Sequence, residues 1–162
     1  MQYYENEKLV MEFFVLFSRF EYALKRSGFV KGKSNYVKVD RNEFARSIKN
    51  KFDPEDNKAL RNAVEYISKN PPKKQILKNE ELRWKEQAKI KNKKDIVKLL
   101  KYVATVRNNL FHGGKFPEEP FKEPARNKKL LNSSIVILKE IISYDYRLER
   151  CFKADFVYEN II

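Results

Sequence analysis

Val10, Phe13, Phe14, Phe17, Phe20 and Leu24 recur three and four residues apart, a spacing that lines them along one face of a helix. No strand gathers those positions on one side. A first helix over about residues 5 to 26 is therefore expected, closed by Ser27-Gly28 as its C-cap. Only four glycines occur in 162 residues, too few for a sheet-and-turn architecture, so long helices are expected elsewhere as well.

Local signals divide the rest of the chain. Asp40 with Glu43 three residues later forms a capping-box pattern, opening a helix that carries Phe44 and Ile48 and ends near Phe52. Asp53-Pro54 is a second start signal, for a helix to about Ser68 that buries Leu60, Val64 and Ile67. Asn70-Pro71-Pro72 stops it. Residues 73 to 94 are densely charged with sparse apolar points at Ile76, Leu77, Leu82 and Trp84, and read as a basic, partly helical crossover. A helix over about 94 to 112 follows, ended by Gly113-Gly114, then a loop over 116 to 124 and a last main helix over about 125 to 144. The fold class expected is all-α: an antiparallel bundle of four principal helices with short accessory helices. It makes one domain over 1 to 162, with its core at about 5 to 145 and a C-terminal extension over 145 to 162.

The formal charge is +13. An excess of that size favours a polyanionic partner, nucleic acid before membrane, although it also serves simply as a solubilising surface. Cys151 is the lone cysteine, so no intrachain disulfide forms and a reducing, cytoplasmic setting is expected. One Cys and one His cannot complete a tetrahedral zinc site within one chain, and no metal or other cofactor is expected. The apolar run over 9 to 17 contains Glu12 and is too short to span a bilayer.

The fourth helix carries a charge where none is expected. On a wheel with Ile96 at zero, Leu99, Leu100, Val103, Ala104, Val106, Leu110 and Phe111 form a wide apolar arc, and Arg107 falls at about 20° within it. An arginine cannot shed its proton and is costly to bury unpaired. It must snorkel, find an acid or face a partner. The first helix offers an acid: with Val10 at zero, Glu21 also falls at about 20°, among Phe13, Phe14, Phe17 and Leu24. A Glu21–Arg107 pair is therefore expected.

Asn108 and the single histidine, His112, border the same arc four residues apart. By itself His112 before Gly113-Gly114 reads as a helix-capping residue. Beside Arg107 and Asn108 it suits metal-free RNA cleavage, in which the ribose 2′-OH attacks the adjacent phosphorus. That reaction needs a base, an acid, and positive charge on the phosphoryl oxygens. Arginine meets the third need with its planar fork. One histidine cannot be acid and base on opposite oxygens, so a two-fold dimer with a composite site is implied.

Arg107-Asn108-Asn109-Leu110-Phe111-His112 resembles the HEPN superfamily signature of arginine, a polar residue, three more residues and histidine. Gly113-Gly114-Lys115 after it and Phe17-Ser18-Arg19-Phe20-Glu21-Tyr22-Ala23-Leu24 on the first helix add to the likeness, which covers roughly residues 5 to 145. The resemblance is closest to plasmid- and defence-associated HEPN proteins. It implies a homodimeric, metal-independent endoribonuclease acting as a toxin or antiviral-defence effector on tRNA or other RNA, with a possible protein antitoxin. At matching positions it makes His112 the acid/base, Arg107 the phosphate ligand, Asn108 the positioning residue and Glu21 the residue orienting Arg107. Lys94, Lys98, Lys101 and Lys115 are the expected RNA-binding lysines, with Trp84, Tyr102 or Phe116 as base-stacking candidates. Two other readings stay open: a non-catalytic RNA-binding or assembly module, and a basic DNA- or partner-binding bundle in which Glu21 and Arg107 are a structural pair.

Overall fold

A computed structural model describes residues 2–32, 36–111 and 124–154. Among them six helices carry most of the chain: α1 (Gln2–Arg26), α2 (Arg41–Ser47), α3 (Lys58–Lys69), α4 (Ile96–Phe111), α5 (Pro124–Ile142) and α6 (Tyr146–Lys153). Two antiparallel ribbons interrupt them, β1 (Val30–Lys31) with β2 (Lys38–Val39), and β3 (Lys74–Lys78) with β4 (Glu81–Lys85). The fold is mostly helical rather than purely α.

The helix ends follow side-chain chemistry. At the end of α1, Gly28 takes φ +87°, which a glycine adopts without Cβ strain. Its N–H bonds to Lys25 O at 3.3 Å and the Phe29 N–H to Leu24 O at 3.0 Å, the paired bonds of a Schellman cap. Asp40 caps α2 by accepting from the Glu43 N–H at 3.0 Å. That helix stops at Ser47, short of Phe52. Asp53-Pro54 opens a single 3-10 turn (Pro54–Asp56), and Asn57 caps α3 through the Leu60 N–H at 2.7 Å.

The core is built on one stripe of aromatic rings. Phe13, Phe17, Phe20 and Leu24 of α1 are buried as their spacing requires. Phe17 and Phe20 lie 6.3 Å apart, Phe20 and Phe44 of α2 5.6 Å, and Phe44 and Phe29 5.3 Å, mostly edge to face. Helix α5 packs against α1, α3, α4 and α6 and supplies Ile137, Leu138 and Ile141. Leu60, Val64 and Ile67 come from α3, and Ile96, Leu99, Leu100 and Val103 from α4.

The expected helical crossover is instead the β3–β4 hairpin. Its register pairs Ile76 with Arg83 and Leu77 with Leu82. The two-residue turn places Asn79 at φ 51° and Glu80 at φ 64°, the left-handed pair that matches the twist of a tight hairpin. Asn tolerates that region; Glu does not favour it. Glu80→Gly is therefore expected to stabilise the protein by about 0.5–1 kcal/mol, the gain limited by glycine's greater unfolded-state freedom. A urea midpoint at or below that of the parent would contradict this account of the turn.

Candidate functional site

Helix α4 ends in the described residues at Phe111, so Arg107 and Asn108 sit in its last turn. Arg107 is half-buried. Its guanidinium carbon lies 5.6 Å from the Phe17 ring centroid and 5.9 Å from that of Phe111, and Nη1 donates to Asn108 Oδ1 at 3.0 Å. Phe14 packs against Phe111 with centroids 4.9 Å apart. Two aromatic faces and one amide thus hold the fork, an arrangement suited to a cation that keeps donors free for a phosphate.

The expected Glu21–Arg107 pair does not form. Glu21 accepts from Arg41 Nη1 at the start of α2. A helical wheel gives the angle of a residue but not its height. Glu21 lies one turn beyond Phe17, about 6 Å further along α1, where Arg41 rather than Arg107 is within reach. Among the described residues no salt bridge joins Arg107 to a carboxylate.

Asn108 is exposed, with its carbonyl on Arg107. Its neighbour Asn109 is buried and donates from Nδ2 to Lys73 O at 2.8 Å, fastening the last turn of α4 to the link before the hairpin. Nothing in the helical pattern marks Asn109, which falls about 140° from Ile96, off the apolar arc. It is covered because the 71–73 link runs over that side of the helix. A polar residue beside a basic motif was the only signal available.

The lysines divide. Lys94 is held by Asp53, whose carboxyl it draws below the usual range; the Asp53 contact in turn raises the Lys94 ammonium. Lys98 pairs with Asp95 at 3.4 Å. Lys101 is exposed with no ion pair among the described residues. It lies seven residues before Asn108, on the same side of α4 and about 10 Å away. Tyr102 is buried and donates its hydroxyl to Ala88 O, so it is a packing residue and not a base-stacking one. Trp84 is half-buried on β4, opposite Gln75. His112, Lys115 and Phe116 lie outside the described residues.

The outer face of α1 carries exposed apolar side chains among polar ones. Met11, Phe14, Val15 and Tyr22 are 60%, 43%, 47% and 46% exposed, and Phe111 of α4 adjoins them through Phe14. Met11, Phe14 and Val15 lie together, and Tyr22 follows two turns on, beyond the exposed Ser18. No group of three or more His, Cys, Asp or Glu side chains among the described residues is placed to hold a metal. No helix among them is long and apolar enough to cross a membrane.

In comparisons with known proteins, no family model, curated protein or solved structure matches the chain.

Proposed function

We propose that the chain is a metal-independent endoribonuclease of HEPN type, working as a homodimer. The observation that carries the reading is the state of Arg107. It is a half-buried guanidinium between Phe17 and Phe111, steadied by Asn108 and joined to no carboxylate among the described residues. A guanidinium so placed keeps its charge and its fork for a phosphodiester. The exposed Met11, Phe14 and Val15, joined to the Arg107 surroundings through Phe111, offer a surface on which a second copy can close, bringing the second histidine that one chain lacks.

In this reading the ribose 2′-OH gives its proton to one His112 and attacks phosphorus. The P–O5′ bond breaks, and His112 of the other copy gives a proton to the departing 5′-oxygen. Arg107 takes the charge that builds on the non-bridging oxygens, and Asn108 sets the orientation of the arginine. The products are a 2′,3′-cyclic phosphate and a 5′-hydroxyl. Glu21 holds Arg41 at the start of α2 and does not orient Arg107. The HEPN likeness extends the reading to a toxin or antiviral-defence effector acting on tRNA or other cellular RNA, restrained by an antitoxin.

The test is incubation with total tRNA in EDTA, parent beside His112→Ala, with product ends mapped. Cleavage by the parent alone, leaving cyclic phosphates, is the expected result. Loss of about 10²–10⁴-fold is the range for removing a general acid or base. Binding of RNA without cleavage by either protein would favour the non-catalytic module. Cleavage unchanged by His112→Ala would remove the histidine from the mechanism.

A further inference from the structure

A polar cavity of about 460 Å³ opens at the foot of the β3–β4 hairpin, between the end of α3, the segment that follows β4 and the first turns of α5. Lys69, Lys73, Lys89 and Arg126 line it, against one carboxylate, Glu86. Its floor is the 71–73 link, and every carbonyl of that link is already engaged. Pro71 O accepts from Arg126 Nη2 at 2.6 Å, Pro72 O from Gln87 Nε2 at 2.6 Å, and Lys73 O from Asn109 Nδ2 at 2.8 Å. An anion entering the cavity meets cations rather than bare carbonyl oxygens.

Two of the lysines have partners, Lys69 with Glu65 at 2.6 Å and Lys73 with Glu86 at 3.1 Å. Both pairs are exposed to water, where such contacts hold a lysine only weakly, so either ammonium can turn to a phosphate. Lys89 is exposed and has no ion pair among the described residues. The Asn109–Lys73 bond ties the rim of this cavity to the side of α4 turned about 160° away from Arg107.

We propose that this cavity is a phosphate subsite outside the Arg107 site, which grips the ribose-phosphate backbone of a single RNA strand as it passes behind α4. The lining contains no aromatic ring, so it reads backbone charge and not base identity. Its volume lies in the range of pockets that enclose small ligands, enough for one nucleotide unit of backbone. The subsite rests on the ribonuclease reading for the choice of RNA as its ligand, but strand binding is measurable without cleavage.

The experiment uses a fluorescently labelled single-stranded 2′-O-methyl RNA, which lacks the attacking hydroxyl and cannot be cut. Anisotropy titrations compare the parent, Lys69→Glu, Lys89→Glu, their double variant, and Lys58→Glu as a control. Lys58 is exposed at the opposite end of α3, about 16 Å from Lys69, and its reversal changes net charge as much as either single variant does. The expected result is about a tenfold loss of affinity in the double variant, an intermediate loss in each single one and little in the control. The slope of log Kd against log salt should fall by about 0.7 for each strand phosphate that a variant no longer neutralises. Equal losses in Lys58→Glu and Lys89→Glu would mean that only net charge matters and would overturn the subsite. So would unchanged binding in the double variant, or no binding by the parent. Cleavage of unmodified RNA by the parent alongside unchanged binding in the variants would leave the ribonuclease standing without the subsite. Weakened binding in the variants with no cleavage by the parent would leave the subsite without the ribonuclease.

Discussion

Arg107→Ala is expected to lower RNA cleavage by about 10²–10³-fold, the usual loss when a donor that stabilises transition-state charge is removed. Stability should change far less. Because Glu21 is satisfied by Arg41, removing Arg107 leaves no carboxylate stranded, which is what makes the loss of one partner of a buried pair so costly. What disappears is the stacking on Phe17 and Phe111 and the bond to Asn108, about 1–2 kcal/mol together. Arg107→Lys should recover the charge but not the two-pronged grip, and so only part of the rate. Single-turnover cleavage beside urea unfolding separates the two quantities. A variant that cuts RNA normally but unfolds more than about 3 kcal/mol more easily would make Arg107 a structural residue.

Phe20→Ala is expected to cost about 3–5 kcal/mol, a large share of the roughly 5–15 kcal/mol that holds a domain of this size together. Phe20 is fully buried, and its ring stands edge to face between Phe17 of its own helix and Phe44 of α2. With the Glu21–Arg41 pair it joins the short helix α2 to the long one, and seven helical residues have little stability of their own. Truncation leaves a hole bounded by two rigid rings that cannot collapse into it. Thermal or urea unfolding reads the effect. A loss below about 1 kcal/mol would mean that this ring chain does not anchor α2.

The helical part of this fold is plain in the sequence because a repeat of three and four residues admits only one regular structure. Gly28 and Asp40 mark helix ends for a related reason: each supplies a specific bond or backbone angle. The β3–β4 hairpin is hidden. Its turn is Asn79-Glu80 rather than Asn-Gly, and although β4 alternates polar and apolar residues, β3 sets Ile76 beside Leu77, so no paired alternation announces two strands. The partner of Glu21 is not legible because a wheel fixes angular phase and leaves axial height open. Arg107 stands out as a charge inside an apolar arc, whereas the role of Asn109 depends on a link whose path no periodicity records. The cavity beyond that link draws on α3, α5 and the segment after the hairpin, so no local stretch of sequence could announce it.

Helix α5 packs against four other helices, and α1 makes its most extensive packing with α5 and α6. The end of α1 and the start of α5 are about a hundred residues apart, which a ribosome takes about 5–20 s to add. Through that interval the aromatic face of α1 lacks its principal cover and is open to chaperones or to premature association. A chain arrested before α5 has emerged cannot close its core. Closure of the core therefore waits for α5, and a nascent fragment that ends soon after Arg107 still lacks the helix that covers α1.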